Sequence, residues 1–227
     1  MSSRKCLCCL LALLVFSSKP VYSMTGNIDF GIGQNQLSNS DWKIGGEIDL
    51  KKMTNFGIIA DVAVHPEFSL VLGIMTGSKD DKYVYEDNTD PTSYYEYDEE
   101  KFNLTILDLF FGFRKYFVIP DSKNIKPHIG IGFINRKLTI KEDYYYEYDD
   151  YITPSNSMTD QGTFSESKTT TGLFIDTGVK YVMNNFNVGI ELMFITGTKI
   201  SDWPPKDANG FQYRLVLGYT FGGLISE

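Results

Sequence analysis

Apolar and polar side chains alternate along the C-terminal stretch FQYRLVLGYTF, residues 211–221. Successive side chains of a β-strand point to opposite faces, so this stretch predicts a strand with one apolar face and one mixed polar face. The apolar face carries aromatic residues at both ends, with Leu215 and Leu217 between them. Interfacial aromatics flanking aliphatics are typical of a strand that crosses a bilayer, and about 9–11 residues suffice for a tilted crossing. The stretch therefore predicts a transmembrane β-strand.

Seven other stretches alternate in the same way, and together they predict an all-β, eight-stranded antiparallel transmembrane β-barrel. The predicted strands are residues 27–34, 56–65, 68–75, 102–117, 127–137, 170–182, 186–195 and 211–221. Residues 42–51 also alternate, but a ninth strand would break the even strand number of bacterial single-chain barrels. We therefore assign residues 42–51 to the first outer loop, where they either form part of that loop or extend the barrel above the membrane.

The connections between the predicted strands alternate in length. Three are short and carry turn residues, at 65–67, 119–125 and 183–185. Four are longer and polar, at 35–55, 77–101, 140–169 and 197–210. Short periplasmic turns and longer outer loops are the layout of outer-membrane barrels, so we expect the long connections to face outward, exposed and mobile.

The N-terminus has the features of a secretory signal peptide. Arg4 and Lys5 precede a short apolar segment at residues 6–16, and Val21 and Ser23 are small residues suited to cleavage before Met24. The apolar segment is too short for a membrane anchor. We expect residues 1–23 to be a cleaved signal and residues 24–227 to form the barrel domain.

Charge and cysteine content narrow the possible functions. Removal of Arg4, Lys5 and Lys19 takes the net charge from −8 to −11, which makes nucleic acid a poor partner. All three cysteines lie within the predicted signal, so the mature chain has neither disulfides nor thiolate chemistry. Mean hydropathy is −0.18, a value that suits a soluble protein but also a barrel, in which half of each strand is polar.

The chain resembles the eight-stranded outer-membrane β-barrel proteins of the opacity and OmpA-type group. The resemblance covers nearly all of residues 25–221 and rests on LDLFFGFRKYF, KPHIGIGF, FIDTGVKYVMNNFNVGIELMF and YRLVLGYTF, in that order. It implies location in the outer membrane, contact with outer-membrane lipid, and recognition by the barrel-assembly machinery. Tyr219 and Phe221 match the group's terminal aromatic assembly signal, although residues 222–227 follow here. Members of the group serve in adhesion, envelope integrity and binding of host factors.

Nine charged residues fall on the inward parity of the predicted strands. They are Asp29, Asp61, Asp108, Asp176 and Glu191, which are acidic, and Arg114, Arg136, Lys180 and Arg214, which are basic. An eight-stranded barrel is only just wide enough inside for side chains. Because unpaired buried charges are costly, this near balance indicates a salt-bridged, closed lumen. A narrow ion path is the alternative.

The two histidines do not indicate catalysis. A barrel enzyme acting on lipid would need a nucleophile beside a histidine on its lipid-facing surface. His65 and His128 both fall on the inward parity, and neither lies near a serine in a recognisable motif. We therefore expect no catalytic residues, and the pattern predicts no cofactor.

Two outer connections have a distinctive composition, because acidic residues and tyrosines interleave in both. They read KYVYEDNTDPTSYYEYDEE at residues 82–100 and EDYYYEYDDY at residues 142–151. Clustered carboxylates can hold Ca²⁺ or Mg²⁺, but the spacing is not that of an EF-hand, and we predict no metal site. Solvated loops and β-extensions above the membrane are simpler interpretations. Tyrosines also supply rigid contact area for binding surfaces.

The sequence thus predicts a non-enzymatic outer-membrane barrel whose loops bind an extracellular ligand or host surface, or support the envelope. A small channel for ions or apolar solutes is the second hypothesis, and single-channel conductance separates it from the first. A soluble lipocalin-like carrier is the third, and membrane fractionation tests it.

The last strand offers a test of the face assignment. Leu217→Arg should lower the free energy of unfolding by about 2–4 kcal/mol, because it places a charge at a lipid-facing site near the midplane. Gln212→Glu should be mild, because Arg214 and Lys180 can offset a carboxylate in a polar lumen. Urea midpoints after refolding into lipid vesicles measure both. Greater damage from Gln212→Glu would mean that the two faces are exchanged.

Overall fold

The computed structural model describes residues 25–44, 47–90, 92–200 and 207–221. The predicted signal peptide and the residues after Phe221 lie outside the described residues. Within the described ranges, no helix has the length and apolar character needed to span a membrane.

Eight long antiparallel strands close into a barrel, which confirms the predicted fold class. The barrel strands are β1 Gly26–Leu37, β4 Lys52–His65, β5 Phe68–Asp87, β6 Tyr94–Tyr116, β7 Ile125–Asp150, β8 Met158–Met183, β9 Phe186–Thr196 and β10 Gly210–Phe221, and two short strands, β2 Lys43–Ile44 and β3 Ile48–Asp49, lie between β1 and β4 in the chain. β1 pairs with both β4 and β10, so the hydrogen-bond ladder closes on itself. β2 and β3 are not part of the barrel wall and pair with each other, in the stretch that the sequence analysis assigns to the first outer loop.

The outside of the barrel carries a belt of apolar side chains, and the burial of successive residues alternates along every barrel strand. Exposed members of the belt include Ile28, Phe30, Ile32, Phe56, Ile58, Leu72, Ile74, Leu109, Phe111, Phe113, Ile129, Ile131, Phe133, Leu173, Ile175, Ile190, Leu192, Phe194, Leu215 and Leu217. An apolar surface that surrounds the whole molecule is stable against hydrocarbon and unstable against water. The belt is therefore the surface that faces lipid.

Two of the expected outer loops are strands for most of their length. β5 and β6 stay paired to Asp87↔Glu96, so only residues 88–93 turn between them. β7 and β8 stay paired to Tyr148↔Met158, and residues 151–157 form their connection. These four strands continue beyond the barrel as a four-stranded sheet, which we call the protruding sheet. Tyrosine favours strands, so the composition that suggests loops at 77–101 and 140–169 also suits β-extensions.

The inward placement expected for His65 is wrong. The register between β4 and β5 shifts between Ala63 and His65, which is a β-bulge. A bulge adds one residue to one strand and reverses the faces of the residues beyond it. His65 is therefore exposed at the turn, with its ring 5.8 Å from the ring of Phe68.

The protruding sheet predicts where protease will cut the protein on intact cells. Residues paired in a ladder resist cleavage, whereas exposed turns are cut first. We expect a broad-specificity protease to cut at residues 88–93 and 151–157 and to spare the paired strands, as judged by fragment masses. Cuts spread evenly along residues 79–87 and 158–169 would contradict the sheet. Cutting only after the outer membrane is permeabilised would reverse the orientation.

Candidate functional site

All nine predicted inward charges lie in the lumen. They are buried, with exposed fractions of 2% or less: Asp29, Asp61, Asp108, Arg114, Arg136, Asp176, Lys180, Glu191 and Arg214. The structure brings them together as two groups at different heights in the barrel. Each group pairs its carboxylates with cations, which is the arrangement that makes buried charge tolerable.

The larger group centres on Arg114 of β6, near the short-turn end of the barrel. Its guanidinium donates to Asp176 (Nε to Oδ2, 2.7 Å), to Glu191 (Nη2 to Oε2, 3.0 Å) and to Asp61 (Nη1 to Oδ2, 3.1 Å). These acids lie on β8, β9 and β4, so a single side chain links three other strands across the lumen. The planar guanidinium spreads five donors over three nitrogens, whereas the three donors of a lysine ammonium share one nitrogen.

Lys180 and Arg214 complete the larger group. Lys180 Nζ contacts Asp29 and donates to Asp61 Oδ2 at 2.9 Å, and Arg214 Nη2 is 2.8 Å from Glu191 Oε2. Four carboxylates therefore face three cations. The group spans β1, β4, β6, β8, β9 and β10, and it joins strands that are not neighbours in the barrel wall.

The smaller group pairs Asp108 with Arg136 through two hydrogen bonds, at 2.7 Å and 2.8 Å. Gln212 Nε2 donates to Asp108 Oδ2 at 2.6 Å, while Lys180 belongs to the other group. A glutamate at position 212 would meet the carboxylate of Asp108. We therefore now expect Gln212→Glu to be destabilising and not mild.

Apolar side chains fill the lumen between and above the charged groups, a feature that the sequence reasoning missed. One layer consists of Ile59, Val71, Met75, Phe110, Ile134, Phe174, Met193, Ile195 and Val216. The two groups stay linked past this layer, because Gln212 accepts from Arg214 Nη1 at 3.4 Å and donates to Asp108. A second closes the outer end and consists of Leu37, Trp42, Ile48, Leu50, Met53, Phe102, Leu104, Ile106, Leu138, Ile140, Ile200 and Ala208. The available signal was an apolar residue on inward parity, such as Phe110 or Phe174. The lumen is thus packed through both layers.

The protruding sheet presents two faces, which the strand register assigns. The face that continues the lumen, here called the inner face, carries Asp81, Tyr83, Tyr85, Asp87, Tyr94, Glu96, Asp98, Glu100, Phe102, Glu142, Tyr144, Tyr146, Tyr148, Asp150, Met158, Asp160, Gly162 and Phe164. The outer face carries Asp80, Lys82, Val84, Glu86, Tyr95, Tyr97, Glu99, Lys101, Asn103, Lys141, Asp143, Tyr145, Glu147, Asp149, Thr159, Gln161, Thr163 and Ser165. Lysines occur on the outer face only, within these two sets.

The two faces differ in how their carboxylates are balanced. On the outer face, hydrogen bonds from Lys101 and Tyr97 lower the pKa of Glu99 to about 2. On the inner face, burial and the neighbouring carboxylates of Asp98 and Glu142 raise the pKa of Glu100. The three lysines of the outer face therefore offset half of its six carboxylates, whereas the eight carboxylates of the inner face have no lysine among them.

The predicted assembly residues lie at the short-turn end of β10. Tyr219 points outward, with its ring 5.7 Å from the ring of Phe186, and its hydroxyl accepts a hydrogen bond from Asn185 at 2.8 Å. Phe221 is half-buried and pairs with Gly26 at the seam that closes the barrel.

No protein-family model matches the chain, and no curated protein matches it. Solved structures do. The outer membrane protein OprG from Pseudomonas aeruginosa has a TM-score of 0.52 and 12% identity, over 88% of this chain and 97% of that chain. Ail, the attachment invasion locus protein of Yersinia pestis, solved with the heparin analogue sucrose octasulfate, has a TM-score of 0.49 and 12% identity, over 88% and 99%.

The N-terminal β-barrel domain of Pseudomonas aeruginosa OprF has a TM-score of 0.43 and 16% identity, over 87% of this chain and 97% of that domain. At such identities the similarity shows the fold alone, and the OprG comparison carries it. This chain has the fold of eight-stranded outer-membrane β-barrels.

Mutation of Arg114 should lower the free energy of unfolding far more than mutation of its exposed neighbour Lys115. Arg114→Met leaves three buried carboxylates without their shared cation, and we expect the free energy of unfolding to fall by about 3–5 kcal/mol. Lys115→Met is the matched control, because its ion pair with Glu67 is exposed and spans 3.6 Å. That change should alter stability by about 1 kcal/mol or less. Urea midpoints in lipid vesicles measure both, and equal losses would contradict the central place of Arg114.

Proposed function

We propose that the protein is a non-enzymatic outer-membrane barrel whose protruding sheet binds a positively charged partner outside the cell. The proposal includes export by a signal peptide cleaved before Met24 and assembly through Tyr219 and Phe221. The short turns then face the periplasm and the protruding sheet faces outward.

The inner face of the protruding sheet is the observation that carries the proposal. Its cross-strand rows alternate tyrosines with carboxylates, as in Tyr83–Glu100–Tyr144 and in the row of Tyr85 and Asp98. Among the described residues, no lysine or arginine lies in these two rows, and the nearest lysines on this side of the sheet are Lys79 and Lys168, closer to the barrel. Carboxylates attract ammonium and guanidinium groups, and aromatic faces attract cations through their quadrupole. The face is therefore complementary to a chain rich in lysine or arginine.

The negative charge of this face is held close together. The raised pKa of Glu100 has burial as its largest cause, followed by the charges of Asp98 and Glu142. Binding of a cation stabilises the charged form of such carboxylates, because the cation reduces their mutual repulsion. An anionic ligand would meet the same repulsion.

The sheet also suits recognition mechanically. Tyr94 stacks on Tyr148 at 6.1 Å between ring centres and donates to Asp87 at 2.9 Å, so these rings are held in place before a partner arrives. Ordered tyrosines lose little conformational entropy on binding. The continuous strands anchor the face to the closed barrel below.

The packed lumen favours this proposal over the channel hypothesis. Two apolar layers and two ion-paired groups occupy the interior, and members such as Phe174, Ile59 and Leu104 have no exposed surface. An ion path needs water-accessible space along the axis, which this packing leaves no room for.

Binding of a lysine decapeptide to the full mature protein in detergent micelles tests the proposal. The inner-face variant Asp98→Asn/Glu100→Gln/Glu142→Gln should weaken binding about tenfold, because three exposed charge contacts are each worth about 0.2–1 kcal/mol. Binding should also weaken with added salt. Fluorescence anisotropy of a labelled peptide gives the dissociation constants.

The outer-face variant Glu86→Gln/Glu147→Gln/Asp149→Asn is the matched control, since it removes the same number of negative charges from the same sheet. Its affinity for the peptide should stay close to that of the wild type. Equal weakening by both variants would show that net charge and not the inner face attracts the peptide, and an absence of binding would refute the proposal directly.

A further inference from the structure

Three side chains from adjacent strands meet in the lumen and have no part in the binding surface proposed above. They are His128 of β7, Asp176 of β8 and Glu191 of β9, here called the lumen triad. One potential ligand atom from each lies within 4.8 Å of the others. All three residues are buried.

The triad leaves its inner polar atoms without hydrogen bonds. Neither ring nitrogen of His128 has a hydrogen-bond partner, and the same holds for Asp176 Oδ1 and Glu191 Oε1. His128 Nε2 is 3.6 Å from Glu191 Oε1, which is beyond hydrogen-bond distance. Buried polar atoms are almost always partnered, so a cluster of unpartnered atoms that converge on one place needs an explanation.

Arg114 fixes the orientation of both carboxylates. It donates to Oδ2 of Asp176 and to Oε2 of Glu191, so the guanidinium holds one oxygen of each carboxylate. The other oxygen of Glu191, Oε1, makes no hydrogen bond and lies 3.5 Å from Lys180 Nζ. Metal ligands are commonly held in this way by an outer hydrogen bond that orients them. Oε1 of Glu191 is the oxygen of that carboxylate near the histidine ring, at 3.6 Å from Nε2.

Two glycines make room for this arrangement. A Cβ at position 178 would lie 2.8 Å from His128 Cε1, and a Cβ at position 130 would overlap Asp176 Oδ1. Any larger residue would displace the ring or the carboxylate. The backbone on both sides of the triad is thus shaped to admit these side chains.

The charge balance of the larger lumen group also favours a bound cation. Asp29, Asp61, Asp176 and Glu191 face Arg114, Lys180 and Arg214, which leaves one negative charge when His128 is neutral. A neutral imidazole has a lone pair to offer a metal. The site therefore supplies one nitrogen and two oxygen ligands with excess negative charge nearby.

We propose that the lumen triad binds a divalent transition-metal ion of the zinc class. Imidazole nitrogen with carboxylate oxygen suits Zn²⁺ and its neighbours better than Ca²⁺ or Mg²⁺, which prefer oxygen alone. Three protein ligands leave a further position for water. A cavity of about 230 Å³ lies at the short-turn mouth, and the ring of Tyr116, which lines it, is 5.3 Å from the ring of His128.

Metal titration of the full mature chain, refolded in detergent without a histidine tag, tests this site. Zn²⁺ should bind with one-to-one stoichiometry by calorimetry, and Co²⁺ should give visible d–d absorption bands. His128→Asn should weaken binding by at least about tenfold, because loss of even an outer hydrogen-bond partner of a metal ligand costs about that much. His65→Asn is the matched control, since His65 is the other histidine of the chain and lies exposed at a turn.

A closed hydrogen-bond ladder should resist SDS, so each variant is checked for folding by comparing its mobility on SDS gels with and without boiling. The ¹⁵N shifts of the His128 ring give a readout on the unmutated protein. Zn²⁺ should move the signal of one ring nitrogen. Failure of the folded protein to bind either metal overturns the proposal, as does equal affinity in His128→Asn. The proposal is also overturned if the His128 ring is doubly protonated at neutral pH and its ¹⁵N signals do not change with Zn²⁺. In that case the proton, and not a metal ion, balances the remaining negative charge of the larger group.

Discussion

The interior of an eight-stranded barrel is only just wide enough for side chains. The stability of the closed barrel therefore depends on how its inward side chains fill that space. The strands need polar or small inward residues at many positions, and buried charges are stable only when they are paired. Arg114 meets this requirement by linking carboxylates from three strands. The apolar layer around Phe110 and Phe174, whose rings lie 5.6 Å apart, fills the space that charges leave.

Much of this architecture can be predicted from sequence because a barrel strand has a period of two and lipid on one side. The inward placement of Asp61 and Arg214 follows from that period alone. The placement of His65 does not, since a single bulge after Ala63 reverses the faces and leaves no clear mark in the sequence. The role of Phe174 was missed for a different reason. A single apolar residue on the inward face does not by itself predict an apolar layer, which is formed only when inward residues of several strands meet in the lumen.

The protruding sheet shows where composition misleads. Tyrosines interleaved with acids suit both solvated loops and β-extensions, and in the structure these residues pair as strands up to Asp87 and Asp150. Their two faces could not be told apart without the register, because the distinction depends on which lysines lie opposite which acids. Lys82 and Lys101 both fall on the face of Glu99, and Glu100 is left among carboxylates. A rigid closed barrel thus carries a sheet whose chemistry differs sharply between its sides.

The partition between lipid and water is the central claim, and NMR relaxation by spin-labelled lipid tests it most directly. With the label deep in the bilayer, signals of belt residues such as Phe30, Leu72 and Leu109 should broaden strongly. Those of Val84 and Tyr145 on the protruding sheet should stay sharp. Equal broadening of both sets would place the sheet within the membrane. Sharp signals throughout the belt would mean that this apolar surface does not face lipid at all.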